Sequence, residues 1–145
     1  VNGSISGDTT AGGRSRLPAL LKQHHPQIVI IELGGNDALR GLPLAGTRDN
    51  LDQMVALAQA QGAKVLVAGM QVPPNYGAAY TRDFAALFSD VARRHKAALV
   101  PFLLKGVADR PDADAWFQAD RIHPLAKAHP LLLDNVWPAL QPLLR

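Results

Sequence analysis

Three short apolar runs, Ile28–Leu33, Lys64–Met70 and Ala98–Leu103, are separated by stretches whose apolar residues recur at three- and four-residue spacing. Runs that are apolar at successive positions read as strands covered on both faces, and the stretches between them as amphipathic helices. That alternation predicts an α/β fold. Parallel neighbouring strands need a long crossover, and a helix supplies it.

The helical pattern is clearest at Thr47–Gln61, with Thr47 as N-cap, Leu51, Met54, Val55 and Ala58 inward, and Gly62 at C′. Ala78–Lys96 repeats the period through Phe84, Leu87, Phe88 and Val91. Arg14–His24 puts Leu17, Leu20 and Leu21 on one face, with Pro18 tolerated in a first turn. Gly7–Gly13 is a turn-rich loop, and Val1–Ser6 reads as the tail of a further strand. Gln71–Tyr76, with its two prolines, is a loop at a strand's carboxyl end, and Asp109–Ala119 is irregular and acidic. Pro124–Leu144 is helical, interrupted at Pro130 and Pro138. Three full strands and one partial strand make a thin sheet for 145 residues, as if a strand were wanting.

Residues 1–145 form a single domain with no internal repeat and no apolar span long enough for a membrane helix. With no cysteine, a disulfide framework, a thiol nucleophile and a thiolate metal site are excluded. The net charge of +3 is mild, and the one basic run, Arg93–Lys96, ends a helix where cations complement the macrodipole. Neither a nucleic-acid surface nor a signal peptide is evident. Asp109, Asp112 and Asp114 lack the central Gly and distal Glu of a calcium loop, and no glycine-rich phosphate loop is present.

In an open parallel sheet, ligands bind beyond the carboxyl ends of the strands. Gly34-Gly35-Asn36-Asp37 follows the first apolar run there, so the Asn36 amide could face a developing oxyanion, with the Gly7 backbone N–H as a second donor. Taken alone, Gly34–Asp37 reads more readily as a simple turn. Asp120-Arg121-Ile122-His123 spaces a carboxylate to hold one imidazole nitrogen and leave the other as general base. A metal pair is the rival reading, but zinc wants three protein ligands and no clustered third is evident. No serine stands where a nucleophile is needed.

These segments resemble, in order, blocks II, III and V of the SGNH (GDSL) hydrolases: Ser4–Thr9, Gly34–Asp37 and Asp120–Pro124. Ala11-Gly12-Gly13-Arg14 and Pro73-Pro74-Asn75-Tyr76 are similar to segments of the bacterial multifunctional thioesterase I/lysophospholipase/arylesterase group. The resemblance implies a flavodoxin-like three-layer α/β/α sandwich with a parallel sheet lacking its first, central strand, in a domain truncated at the N-terminus. It implies oxyanion donors at Gly7 and Asn36, an orienting acid at Asp120, a base at His123, and no cofactor. The substrates would be acyl esters and thioesters, met in the periplasm or outside the cell, without nucleic acid and without stable membrane insertion. The Gly-Asp-Ser-Leu block has no match, so the nucleophile lies outside this window, and a complementing N-terminal fragment or a homodimer would fill the gap. Thr9 is not that nucleophile, because its neighbours match block II. Leu125 and His129 depart from the family pattern. A non-catalytic binding module, or a carbohydrate acetylesterase or acyltransferase of the same superfamily, are the alternatives.

Overall fold

A computed structural model describes residues 1–119, 121 and 123–145. Three strands, β1 (Ile28–Ile31), β2 (Lys64–Ala68) and β3 (Ala98–Val100), form a parallel sheet in the order β1-β2-β3. Ile30 pairs in register with Leu66, and Leu66 in turn with Ala98. The apolar runs extend past the strand ends, since the last two or three residues of each leave the ladder for a loop.

Among the described residues, five helices flank the sheet: α1 (Thr10–His24), α2 (Gly35–Leu39), α3 (Leu44–Ala60), α4 (Ala78–His95) and α5 (His129–Leu140). Short 3₁₀ turns at Pro74–Tyr76, Ala113–Trp116, Ala126–Ala128 and Gln141–Leu144 complete the chain. Helix α1 starts earlier than predicted, capped by the Thr9 hydroxyl, which accepts from the Gly12 N–H at 3.4 Å. Pro18 therefore sits inside the helix and not in its first turn. Helix α3 also starts early, at Leu44 behind Pro43, so Thr47 is no N-cap; its hydroxyl is buried and donates elsewhere. Residues 1–5 pair with no strand and do not make the expected fourth one. Pro130 falls in the first turn of α5, where a missing N–H costs nothing, while Pro138 lies within it.

Successive strand residues face opposite layers. Val65 and Val67 pack into one cluster with Leu51, Met54, Val55, Phe84, Phe88 and Val91 of α3 and α4. Each such side chain contributes about 1.5–3 kcal/mol of burial. The basic end of α4 is tied to this layer, because Arg94 and His95 both pair with Asp52 of α3.

Helix α5 lies against β2 and β3 on the other face. There Leu66 is fully buried, while its register partner Ile30 is 50% exposed. The expectation that β1 is covered on both faces is thus corrected: one face of β1 is open, because α5 spans only the β2–β3 half.

Candidate active site

Ile5 to Asp8 make a turn closed by the Asp8 N–H on the Ile5 carbonyl at 3.2 Å. Gly7 occupies its third position at φ +74°, which a side chain would strain. The Ser6–Gly7 amide belongs to the central peptide of that turn and makes no bond within it. Arg40 donates to the Gly7 carbonyl at 2.8 Å.

Beyond β1 the chain reverses at Gly34, φ +127°, and enters α2. Gly34–Asp37 is therefore not a bare turn but the start of a short helix that carries Asn36 and Asp37. The Asn36 Nδ2 donates to the Asp8 carbonyl at 2.9 Å, so one of its two N–H groups is committed and the other is left for a ligand. Asp8 is itself anchored, its carboxylate accepting from Arg16 and from the Thr9 N–H. The Arg16 guanidinium beside Asp8 holds its carboxyl below the usual carboxylate range.

His123 is set by backbone pairing on both sides. Phe117 and Pro124 form an antiparallel bridge, the Gln118 N–H donates to the His123 carbonyl at 2.8 Å, and the Leu125 N–H to the Trp116 carbonyl at 2.8 Å. The Trp116 ring has Arg110 at 4.4 Å and Lys127 at 4.8 Å from its centroid. Such cation–π contacts contribute about 0.5–1 kcal/mol each at exposed sites. Asp120, the expected orienting acid, lies outside the described residues.

Gly7, Asn36 and His123 line one cavity of about 1100 Å³, together with Glu32 and Ile30 of the β1 side. Glu32 went unremarked in the sequence because a single carboxylate ending an apolar run carries no motif. Its side chain opens into the cavity, yet crowding by surrounding protein costs it hydration and raises its carboxyl, an effect that His123 partly offsets. Ser4 and Ser6 also line the cavity. Among the described residues no group of three or more His, Asp or Glu side chains converges as a metal site. Nor, among them, is any helix long and apolar enough to cross a membrane.

The model of the GDSL-like Lipase/Acylhydrolase family matches residues 1–131. Esterase TesA of Pseudomonas aeruginosa is 54% identical over 144 residues, covering 99% of this chain and 70% of that protein. Thioesterase 1/protease 1/lysophospholipase L1 of Escherichia coli is 43% identical over 143 residues, covering 99% of this chain and 67% of its own length. The crystal structure of TesA superposes with a TM-score of 0.92 at 54% identity, over 99% of this chain and 78% of the other.

Proposed function

The chain belongs to the GDSL-like lipase/acylhydrolase family, and from that premise we propose that it supplies the base and the oxyanion donors of an acyl ester or thioester hydrolase. A serine from a segment outside these 145 residues attacks the acyl carbonyl. His123 takes the serine proton and passes it to the departing alcohol or thiol, and then deprotonates the water that releases the acid. Asp120 orients the imidazole. The Gly7 N–H and the uncommitted Asn36 N–H receive the negative charge that grows on the carbonyl oxygen.

The observation that carries this reading is the bond from Asn36 to the Asp8 carbonyl. It ties the Asn36 amide to Asp8 of the Gly7 turn, and Gly7, Asn36 and His123 line the same cavity. Ester and thioester substrates agree with the names of the relatives, an esterase and a thioesterase/lysophospholipase. The open β1 face, with Ile30 half in solvent, supports an additional strand and helix as the source of the serine.

An organophosphonate that traps activated serines tests the proposal. The 145-residue chain alone is expected to stay unlabelled and inert toward p-nitrophenyl acyl esters. Co-expressed with a segment carrying a strand, Gly-Asp-Ser-Leu and a helix, it is expected to gain both labelling and turnover, with the adduct on the added serine. Stoichiometric labelling of Ser4, Ser6 or Thr9 in the lone chain overturns it.

A further inference from the structure

Asp37 is 2% exposed, and hydrolysis as described above makes no use of it. Its carboxylate accepts three hydrogen bonds: from the Thr10 N–H at 2.8 Å, the Thr10 hydroxyl at 2.5 Å and the Thr47 hydroxyl at 2.9 Å. The Asn50 Nδ2 donates to the same Thr10 hydroxyl at 3.1 Å, which leaves that hydroxyl's proton for Asp37. One buried carboxylate on α2 thereby gathers the first turn of α1 and two residues of α3. Burying a charge is costly unless it is met by donors of this number and geometry, so the arrangement is strongly specified.

The neighbouring residue gives the cluster its meaning. Asn36 binds the carbonyl of Asp8, while Asp37 binds the amide and hydroxyl of Thr10. Two successive side chains of α2 thus grip alternate residues of the segment that follows Gly7. We propose that Asp37 is a positioning residue: acting through Thr10, it fixes the Gly7 turn against Asn36, so that the two oxyanion donors keep one separation and one aim. The inference rests on the hydrolase reading. Thr47 donates to the same Oδ2 as the Thr10 hydroxyl, joining α2 to α3 without a hydrogen bond to the Gly7 segment, whose Thr10 amide is held separately on Oδ1. The two arms can therefore be cut separately.

The test uses the assembled, active enzyme that includes the serine-bearing segment, with Asp37→Ala, Thr10→Val, Thr10→Ser and Thr47→Val. Misplacing a reacting group by an ångström costs about 10²-fold in rate. Asp37→Ala and Thr10→Val are expected to lower kcat by about tenfold or more, with KM changed less than about threefold, and to weaken an oxyanion-mimicking trifluoromethyl ketone in proportion. Thr10→Ser keeps the hydroxyl and is expected to restore kcat. Thr47→Val is expected to lower the melting temperature while leaving kcat within about twofold. The Asn36 side-chain amide resonances, which report the bond to Asp8, are expected to move in Asp37→Ala and Thr10→Val and to stay in place in Thr47→Val.

Equal loss of kcat in Thr10→Val and Thr47→Val, or loss of stability alone in all three, overturns the inference and leaves a purely structural cluster. If Asp37→Ala does not fold, Thr10→Val against Thr10→Ser decides the matter. A His123→Ala control separates the two levels. Full turnover in that control overturns the proposed site, with His123 as its base, whereas an inert control beside an unaffected Thr10→Val overturns only the role of Asp37.

Discussion

Asn36 and Asp8, 28 residues apart, are joined by a single hydrogen bond of 2.9 Å from a side-chain amide to a main-chain carbonyl. The bond spends half of the amide's donor capacity on orientation. What remains is a donor that needs no reorganisation when charge develops near it, which is the condition under which such a group is worth most.

Asn36→Ala, made in an enzyme assembled with its serine, is expected to lower kcat by about 10²–10³ with little change in KM, because the donor acts on the transition state. Steady-state kinetics over a substrate range checks this. A rise in KM with kcat intact makes Asn36 a ground-state binding residue.

His123→Ala is expected to reduce ester hydrolysis by at least about 10²-fold and to leave the far-ultraviolet circular dichroism unchanged. The main-chain pairing that holds the His123 loop is left in place by the substitution. Retention of more than about a tenth of kcat rejects it as the base.

Glu32, on the cavity wall, gives the stability a pH dependence whose sign follows from the hydration its carboxyl loses to surrounding protein. Its carboxyl is raised in the folded state, so the native chain holds that proton over a range where the unfolded chain has lost it. Its contribution is full below the ordinary carboxylate range, near pH 4, and declines as pH rises through the elevated folded value. Glu32→Gln is expected to raise the melting temperature at pH 7 and to leave it unchanged near pH 3.5. An equal shift at both values contradicts the assignment.

Phe88 is buried beneath the sheet and meets the Phe84 ring edge-on at 5.2 Å between centroids. Phe88→Ala is expected to cost about 3–5 kcal/mol of unfolding free energy, a large share of a domain's margin. Leu144→Ala, at an exposed position, is expected to stay within about 0.5 kcal/mol. Urea denaturation of the two variants side by side measures the contrast.

Periodicity alone located the core of α3 and α4: Leu51, Met54, Val55, Ala58, Phe84, Leu87, Phe88 and Val91 are all buried. It misjudged α1, because Gly12 and Gly13 lower helix propensity where the Thr9 cap and packing on α3 impose a helix. Strand ends ran long because apolar residues continue past the last paired position. The open face of β1 was not legible, since an apolar run does not reveal which neighbours reach it. Motif spacing singled out Gly7, Asn36 and His123, three residues that line one cavity. Asp37, by contrast, acquires its partners only when α1 and α3 converge on α2, and no local pattern encodes that meeting.

The bare side of β1 also bears on how the chain behaves in solution. An apolar strand whose backbone groups lack a partner on one side is a template for any extended segment that arrives first, including the same strand of another copy. An apolar edge of this kind favours edge-to-edge self-association, at the expense of soluble yield. Ile28–Ile31, at the edge of the β1-β2-β3 order, is the seam along which such pairing would form.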